Sequence, residues 1–381
     1  MPMTLHISLD QFTEQTPRLV DLLRRLVEIE SPTHEKPAVD RVGQAIAQEL
    51  RRSQAQVEVV PQTRVGDQLI ARWPGVEAGP GILILGHMDT VFPLGTLASM
   101  PCVERDGRLH GPGAQDMKGG IAITLFAMGF LQEQGLATRL PVTALFTSDE
   151  EAGSHASRQL IEQLARQSAL VLCMESGMAD GGLKTWRKGV GGFTITARGR
   201  AAHAGGDHAQ GRNAIEELAY HIPAIQKLTD YERGTTLNVG VIRGGTTRNV
   251  VPDEASIEVD LRVAEPAEVA RITRALQGLR PVLDGTTLEV QGGLNRPPMP
   301  RDERMIATFE KARQIAAEIG LTLTEGGTGG GSDANFVAPL GIPVLDGLGA
   351  VGEGLHSERE YVRISSLPER AALLVALLRR W

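Results

Sequence analysis

Four apolar residues, Ile82-Leu83-Ile84-Leu85, lie between Gly81 and Gly86 and lead directly into His87-Met88-Asp89. The length of the run and its flanking glycines predict a short strand buried on both faces. In a chain that alternates strands with helices, such strands present functional groups at their carboxyl ends. Here those groups are an imidazole and, two residues on, a carboxylate. Alternation sets positions 87 and 89 on one side of an extended segment. His87 can therefore hold a metal through one ring nitrogen while Asp89 accepts the N–H of the other. Taken alone, the pair also fits a strand that ends in a polar turn.

At 381 residues the chain exceeds what one core accommodates, which predicts two domains. Helical stripes are predicted over residues 17–29 (Leu19, Leu22, Leu23, Leu26, Ile29) and around Val39, Val42, Ile46 and Leu50. Strands are predicted at 57–60, 69–73, 142–147 and 170–173, with a helix over 119–134. This alternation argues for a mixed sheet flanked by helices. The texture changes near Lys188. Residues 255–263 alternate cleanly, with Ala255, Ile257, Val259, Leu261 and Val263 inward and Ser256, Glu258, Asp260 and Arg262 outward. With strands at 193–197, 236–242 and 287–290 and helices at 213–228 and 266–279, the order is β-α-β-β-α-β, a ferredoxin-like sandwich. A proline-rich hinge at 295–300 returns the chain to α/β texture, with helices at 304–319 and 368–378 and a strand near Val344. The expected architecture is thus α/β, a mixed sheet flanked by helices formed by residues 1–188 and 298–381. An α+β domain of residues 189–297 is inserted into it.

A net charge of -7 argues against nucleic acid as a partner. Cys102 and Cys173 are too few for a disulfide framework and form no CxxC pair. No basic-then-apolar leader is visible, and no apolar run approaches the ~18 residues a membrane span needs. A cytoplasmic location is expected, or a periplasmic one if a leader has been removed.

Histidines and acids recur where strands are expected to end. Gly111-Pro112-Gly113-Ala114-Gln115-Asp116 is a glycine-rich loop with an aspartate ahead of a helix. Ser148-Asp149-Glu150-Glu151 follows one strand, Glu175 another, and His356 lies in a late loop. Singly, each suits an Asx turn, a solvated loop or an exposed surface. Converging, the carboxylates would repel one another without a cation, and imidazole with carboxylate suits hard and borderline divalent ions.

The ordered segments HMDTV, GPGAQDMKGG, TSDEEAGS, MESG, AAHAG and LHSEREYV resemble those of the zinc exopeptidases of the M20 metallopeptidase family, glutamate carboxypeptidase branch. The resemblance spans nearly the whole chain. It implies a zinc-exopeptidase-like fold, with the inserted domain as a dimerisation domain or lid. It implies two Zn²⁺ per subunit, with Co²⁺ or Mn²⁺ as substitutes: one held by His87, Asp116 and Glu175, the other by Asp116, Glu151 and His356. Asp89 would orient His87, Glu150 would be the general base, and the Asp116–Met117 peptide would be cis. Because adjacent residues of an extended segment point apart, Glu150 and Glu151 suit separate roles. His203 would stabilise the oxyanion, reaching across a homodimer, and Asn249 and Arg262 would grip the substrate carboxylate. The polar strand face also offers Arg262 an ion pair with Glu258 or Asp260. Two departures stand out. Met117 replaces a second acid of that branch, and Trp186-Arg187-Lys188-Gly189 is basic, giving Lys188 a choice between anion binding and the domain hinge.

The expected activity is hydrolysis of the amide that joins a C-terminal, glutamate-like amino acid to a small peptide or N-acyl group. An N-acyl-amino-acid deacylase or dipeptidase shares the same metal site. A non-catalytic binding protein on this fold would have lost a ligand or the base, and none is missing. A serine hydrolase lacks its GxSxG elbow, and Gly329-Gly330-Gly331-Ser332-Asp333 lacks the lysine of a phosphate loop.

Overall fold

The computed structural model describes residues 8–381; the leader reading bears partly on residues 1–7, which lie outside the described residues. The chain forms two units. The first comprises the stretch ending at Trp186 together with Arg301–Gly327 and Ser332–Trp381, and the second comprises Arg187–Pro300 and Thr328–Gly331.

The first unit is built on eight strands: β1 (Gln56–Val60), β2 (Gln68–Trp73), β3 (Gly81–His87), β4 (Val142–Thr147), β5 (Ser168–Cys173), β6 (Leu183–Arg187), β7 (Glu325–Thr328) and β8 (Val344–Asp346). They lie in the order β1-β2-β4-β3-β5-β8-β6-β7. β4, β3, β5 and β8 are mutually parallel, whereas β1 and β2 pair antiparallel with their neighbours and β6 pairs antiparallel with β8. Ile82 and Ile84 join the main core against the helices Thr16–Val27, Lys36–Arg52, Gly119–Glu133 and Ser366–Arg380. Leu83 and Leu85, equally buried, face the other way. The organising strand is therefore covered on both faces, as its unbroken apolar run requires.

Register then positions the chemistry. His87 pairs with Thr147 across β3 and β4, and Leu85 with Cys173 across β3 and β5. Three parallel strands thus end together, and the residues just beyond them (Glu150, Glu151 and Glu175) emerge beside His87. The helix Gly119–Glu133 starts hard against this edge. A Cβ at Gly120 would lie 2.0 Å from the Met174 carbonyl oxygen, so only glycine admits the helix there.

A small second sheet has the order Gly352–Glu353, Tyr361–Arg363, Arg108–His110, Val103–Arg105. Its Asp106-Gly107 turn has both φ angles positive, the signature of a two-residue hairpin. Among the described residues no helix is long and apolar enough to cross a membrane.

In the second unit, Thr287–Arg296, Gly189–Arg198, Glu254–Val263 and Thr236–Gly244 lie side by side in that order, all antiparallel. The helices Ala214–Gln226 and Pro266–Gln277 complete the β-α-β-β-α-β chain. Ala255, Ile257, Val259, Leu261 and Val263 are all buried. The last strand is longer than its alternation suggests. Gly292-Gly293 interrupts the pattern, with Gly292 at φ +106, yet pairing continues to Arg296 opposite Val190. Asn295 and Arg296 are therefore strand, where a hinge was expected.

Two buried carboxylates hold this unit together. Glu217 accepts from Val282 N and Leu283 N (each 2.8 Å), Thr286 Oγ1 (2.9 Å) and His221 Nε2 (2.7 Å). Glu268 is bound by Arg271, Thr235 and Arg233, and Arg271 foremost holds its carboxyl at about 2. A folded-state value below the unfolded one, roughly 4.3, stabilises at higher pH and ceases to do so as pH falls through both values. Glu268→Gln is therefore expected to lower the melting temperature most at neutral pH. Its deficit against the parent should shrink between about pH 4.3 and 2, as thermal melts across that range will check.

Candidate metal centre

His87, at the end of β3, is almost fully buried. Its Nδ1 lies 3.0 Å from the backbone carbonyl of Asp89 and 3.5 Å from that residue's Oδ1. A carbonyl only accepts, so Nδ1 carries the ring proton. The nearest acceptor is thus the backbone of Asp89, not the carboxylate expected from the sequence.

With Nδ1 donating to that carbonyl, Nε2 faces Asp116 Oδ1 (3.1 Å) and Glu175 Oε1 (3.5 Å). Nε2 set against two carboxylate oxygens calls for a positive centre there, a ring proton or a bound metal ion. On the other side, His356 Nε2 lies 3.1 Å from Asp116 Oδ2 and 3.4 Å from Glu151 Oε2. Glu151 Oε1 is buried and finds no hydrogen-bond partner among the described residues. Imidazoles, carboxylates and one orphaned oxygen suit a divalent ion, and Asp116 presents one oxygen to each histidine. The Asp116–Met117 peptide is cis.

Electrostatics reflects this crowding. Burial alone would lower His87, but Asp116, Asp89 and Glu175 raise it well above its usual value. Asp116 foremost, then Glu151, pushes His356 up to about 10. Burial opposes charge on Asp116, yet the two imidazoles hold its carboxyl well below the usual range. Burial raises Glu151, against its hydrogen bond to His356.

Glu150–Ala152 forms one turn of 3₁₀ helix, so the two glutamates are separated by helical rotation, not by the extended alternation expected. Oxygens of Glu150 and Glu175 lie within 4.8 Å of each other and of a His87 nitrogen. Asp89 anchors the turn: its Oδ1 accepts from Glu150 N at 3.3 Å and its Oδ2 from Glu151 N at 3.2 Å and Thr33 Oγ1 at 2.8 Å. Asp149, third of the successive acids, instead closes its own loop by accepting from Ala156 N and Ser157 Oγ.

Two contributors escape the sequence reading. Thr33 sits in an unremarkable Ser31-Pro32-Thr33 segment. Glu360 is fully buried and accepts from Gln115 N (2.7 Å), Asp116 N (3.0 Å) and Gly113 N (3.3 Å). Burial pushes its carboxyl up to about 7 against those amides. In the sequence Glu360 appears only within the LHSEREYV segment, four residues beyond His356, with no role attached to it.

The remaining candidates lie in the second unit. His203 pairs with Val250 on a two-residue strand and is exposed. Its Nδ1 accepts from Gly205 N (3.1 Å) and Gly206 N (2.9 Å), which leaves Nε2–H as the neutral ring's donor. Asn249 is its neighbour, its carbonyl accepting from Ala204 N at 2.9 Å. Arg262 is chelated by Asp260 (Nε 2.9 Å, Nη2 3.0 Å) and reaches the Gly329 carbonyl at 3.4 Å. The strand-face ion pair with Asp260 is thus the arrangement observed. Lys188 donates its backbone N–H to the Thr328 carbonyl at 3.1 Å.

Residues 83–380 match the profile of peptidase family M20/M25/M40. Carboxypeptidase G2 of Pseudomonas sp. (strain RS-16) is 32% identical over 376 residues, covering 96% of this chain and 90% of that protein. The succinyl-diaminopimelate desuccinylase of Alkalilimnicola ehrlichii is 27% identical over 330 residues, covering 80% and 84%. The crystal structure of Bacillus subtilis YXEP, described as a dinuclear metal-binding peptidase of the M20 family, superposes with a TM-score of 0.69. It is 19% identical and covers 96% of this chain and 99% of that one.

Proposed function

The chain belongs to peptidase family M20/M25/M40, and on that premise we propose that it is a two-zinc carboxypeptidase. Its substrate is a small peptide or N-acyl conjugate, from which it releases a C-terminal acidic amino acid. The observation that carries the metal assignment is Asp116, one carboxylate set 3.1 Å from each of two imidazoles. His87, Asp116 and Glu175 would hold one ion, and Asp116, Glu151 and His356 would hold the other. When bound, the pair lowers the pKa of a water molecule and polarises the scissile carbonyl.

The protein's own groups do the rest. Glu150 takes the proton from the attacking water and returns it to the leaving amine, as the C–N bond breaks and the carboxylate forms. Asp89 keeps the base in place through the Glu150 and Glu151 amides. His203 offers Nε2–H to the developing oxyanion. Asn249 and Arg262 recognise the substrate carboxylate, with Asp260 holding the guanidinium fork in orientation. The second unit also serves as the homodimer contact, a reading supported by Ile215 and Tyr220 on its first helix and Ile242 on its edge strand, all exposed.

The likeness to carboxypeptidase G2 supports the carboxypeptidase reading, and that to a desuccinylase supports a second reading as an N-acyl-amino-acid deacylase. A panel of dipeptides, N-acyl amino acids and N-aroyl glutamates, read by mass spectrometry with and without chelator, separates them. Chelator-sensitive release confined to acidic amino acids is the expected outcome. Release that tracks the acyl group would transfer the chain to the deacylases, and no release from a zinc-loaded protein would sink both.

A further inference from the structure

Nothing in the assignment above uses Glu360, although it is buried completely within reach of a proposed ligand. Its carboxylate caps three backbone donors, the Gly113, Gln115 and Asp116 amides, of the glycine-rich loop that carries Asp116. Gly113 there has φ +70, so the loop turns its amides inward onto a single acceptor. The other end of the connection is short. Ser357 N bonds the Gly354 carbonyl and Glu360 N bonds the Ser357 carbonyl, each at 3.0 Å. This closes a tight turn that contains His356. Tyr361 then pairs with His110, one residue ahead of the glycine-rich loop, and Gly111 N reaches the Glu360 carbonyl at 3.4 Å.

We infer that Glu360 is a positioning residue that fixes Asp116 against His356, and so sets the affinity of the metal position shared by Asp116, Glu151 and His356. The inference rests on the metal reading proposed above. The two positions differ in what supports them. The first keeps His87 and Glu175, which stand at the ends of adjacent parallel strands whatever the loop does. The second takes two of its three ligands from the segments that Glu360 ties together. Losing the tie loosens the second position far more than the first.

The test is a zinc titration against a competing chromophoric chelator, run well below the melting temperature, on the parent, Glu360→Gln and Glu217→Gln. Glu360→Gln keeps size and one acceptor but turns an NH₂ toward the Gly113 amide. Glu217→Gln alters the same kind of backbone clamp in the second unit, where no ligand is involved. The parent should bind two zinc ions. Glu360→Gln should bind the first as the parent does and the second about 10–100-fold more weakly, the usual cost of losing a group that orients a ligand. Its Co²⁺-loaded spectrum should lose the second ion's contribution. Glu217→Gln should melt earlier with both affinities unchanged. Unchanged or equally weakened affinities in Glu360→Gln, or the same selective loss in Glu217→Gln, overturn the inference. A parent that takes up no metal pair overturns the metal reading itself. If Glu360→Gln does not fold, Glu360→Asp, which retains the charge but shortens the reach, is read by the same titration and criteria.

Discussion

Replacing Glu150 by glutamine is expected to leave both metals bound and to lower kcat by about 10²–10⁴-fold, the usual worth of a positioned general base. The amide matches the carboxylate in shape and can still be held through the Glu150 backbone N–H, which Asp89 accepts at 3.3 Å. What it cannot do is take a proton. The experiment matters because geometry alone leaves Glu150 a second role. Its carboxylate is as close to His87 and Glu175 as a ligand would be, all within 4.8 Å. A ligand replaced by glutamine would lose metal, and activity would return on raising zinc. A base would lose turnover at full metal occupancy, with KM little changed, because the interaction removed belongs to the transition state. Metal content beside steady-state kinetics separates the two, and full activity in the variant would end the base assignment.

How much of this centre could be seen beforehand depended on how local its signals are. The β3 run, its His87 and the acids after β4 are short contiguous patterns, and the parallel register that joins them is the consequence of alternating strands and helices. Glu360 and Thr33 left no such pattern. Their partners are backbone amides and a buried carboxylate brought near by the fold, and a backbone partner has no sequence identity to read. The same holds for β6 and β7. Glu325-Gly326-Gly327-Thr328 has no apolar alternation and is a strand because a sheet edge is there to receive it. The Asp106-Gly107 hairpin is different. Its turn signature was present between Val103-Glu104-Arg105 and Arg108-Leu109-His110, and strands of three residues carry too little periodicity to draw attention to it. For Arg262, the sequence offered both a substrate and a neighbouring acid, and the chain satisfied the neighbour first.

Asp116→Ala should remove both metals and all chelator-sensitive activity, whereas His356→Ala should cost one metal. The asymmetry comes from the carboxylate's position. One oxygen faces His87 and the other faces His356, so its loss strips a ligand from each position at once. The two ions would also lose the negative charge that screens them from each other, and neither residual pair, His87 with Glu175 or Glu151 with His356, supplies the three protein ligands usual for a catalytic zinc. Thermal stability gives a readout independent of turnover. A ligand that binds only the folded state stabilises it by about 2.7 kcal/mol at a hundredfold excess over its dissociation constant. Zinc should therefore raise the parent's melting temperature clearly, raise that of His356→Ala by part of the same shift, and leave Asp116→Ala where it was. Comparing each variant with and without zinc cancels whatever the substitution does to the metal-free fold, where Asp116 already pairs with both rings. If Asp116→Ala responded to zinc like the parent, the ions would have to be held elsewhere. The contact of one carboxylate with two imidazoles would then be only an ion-paired cluster.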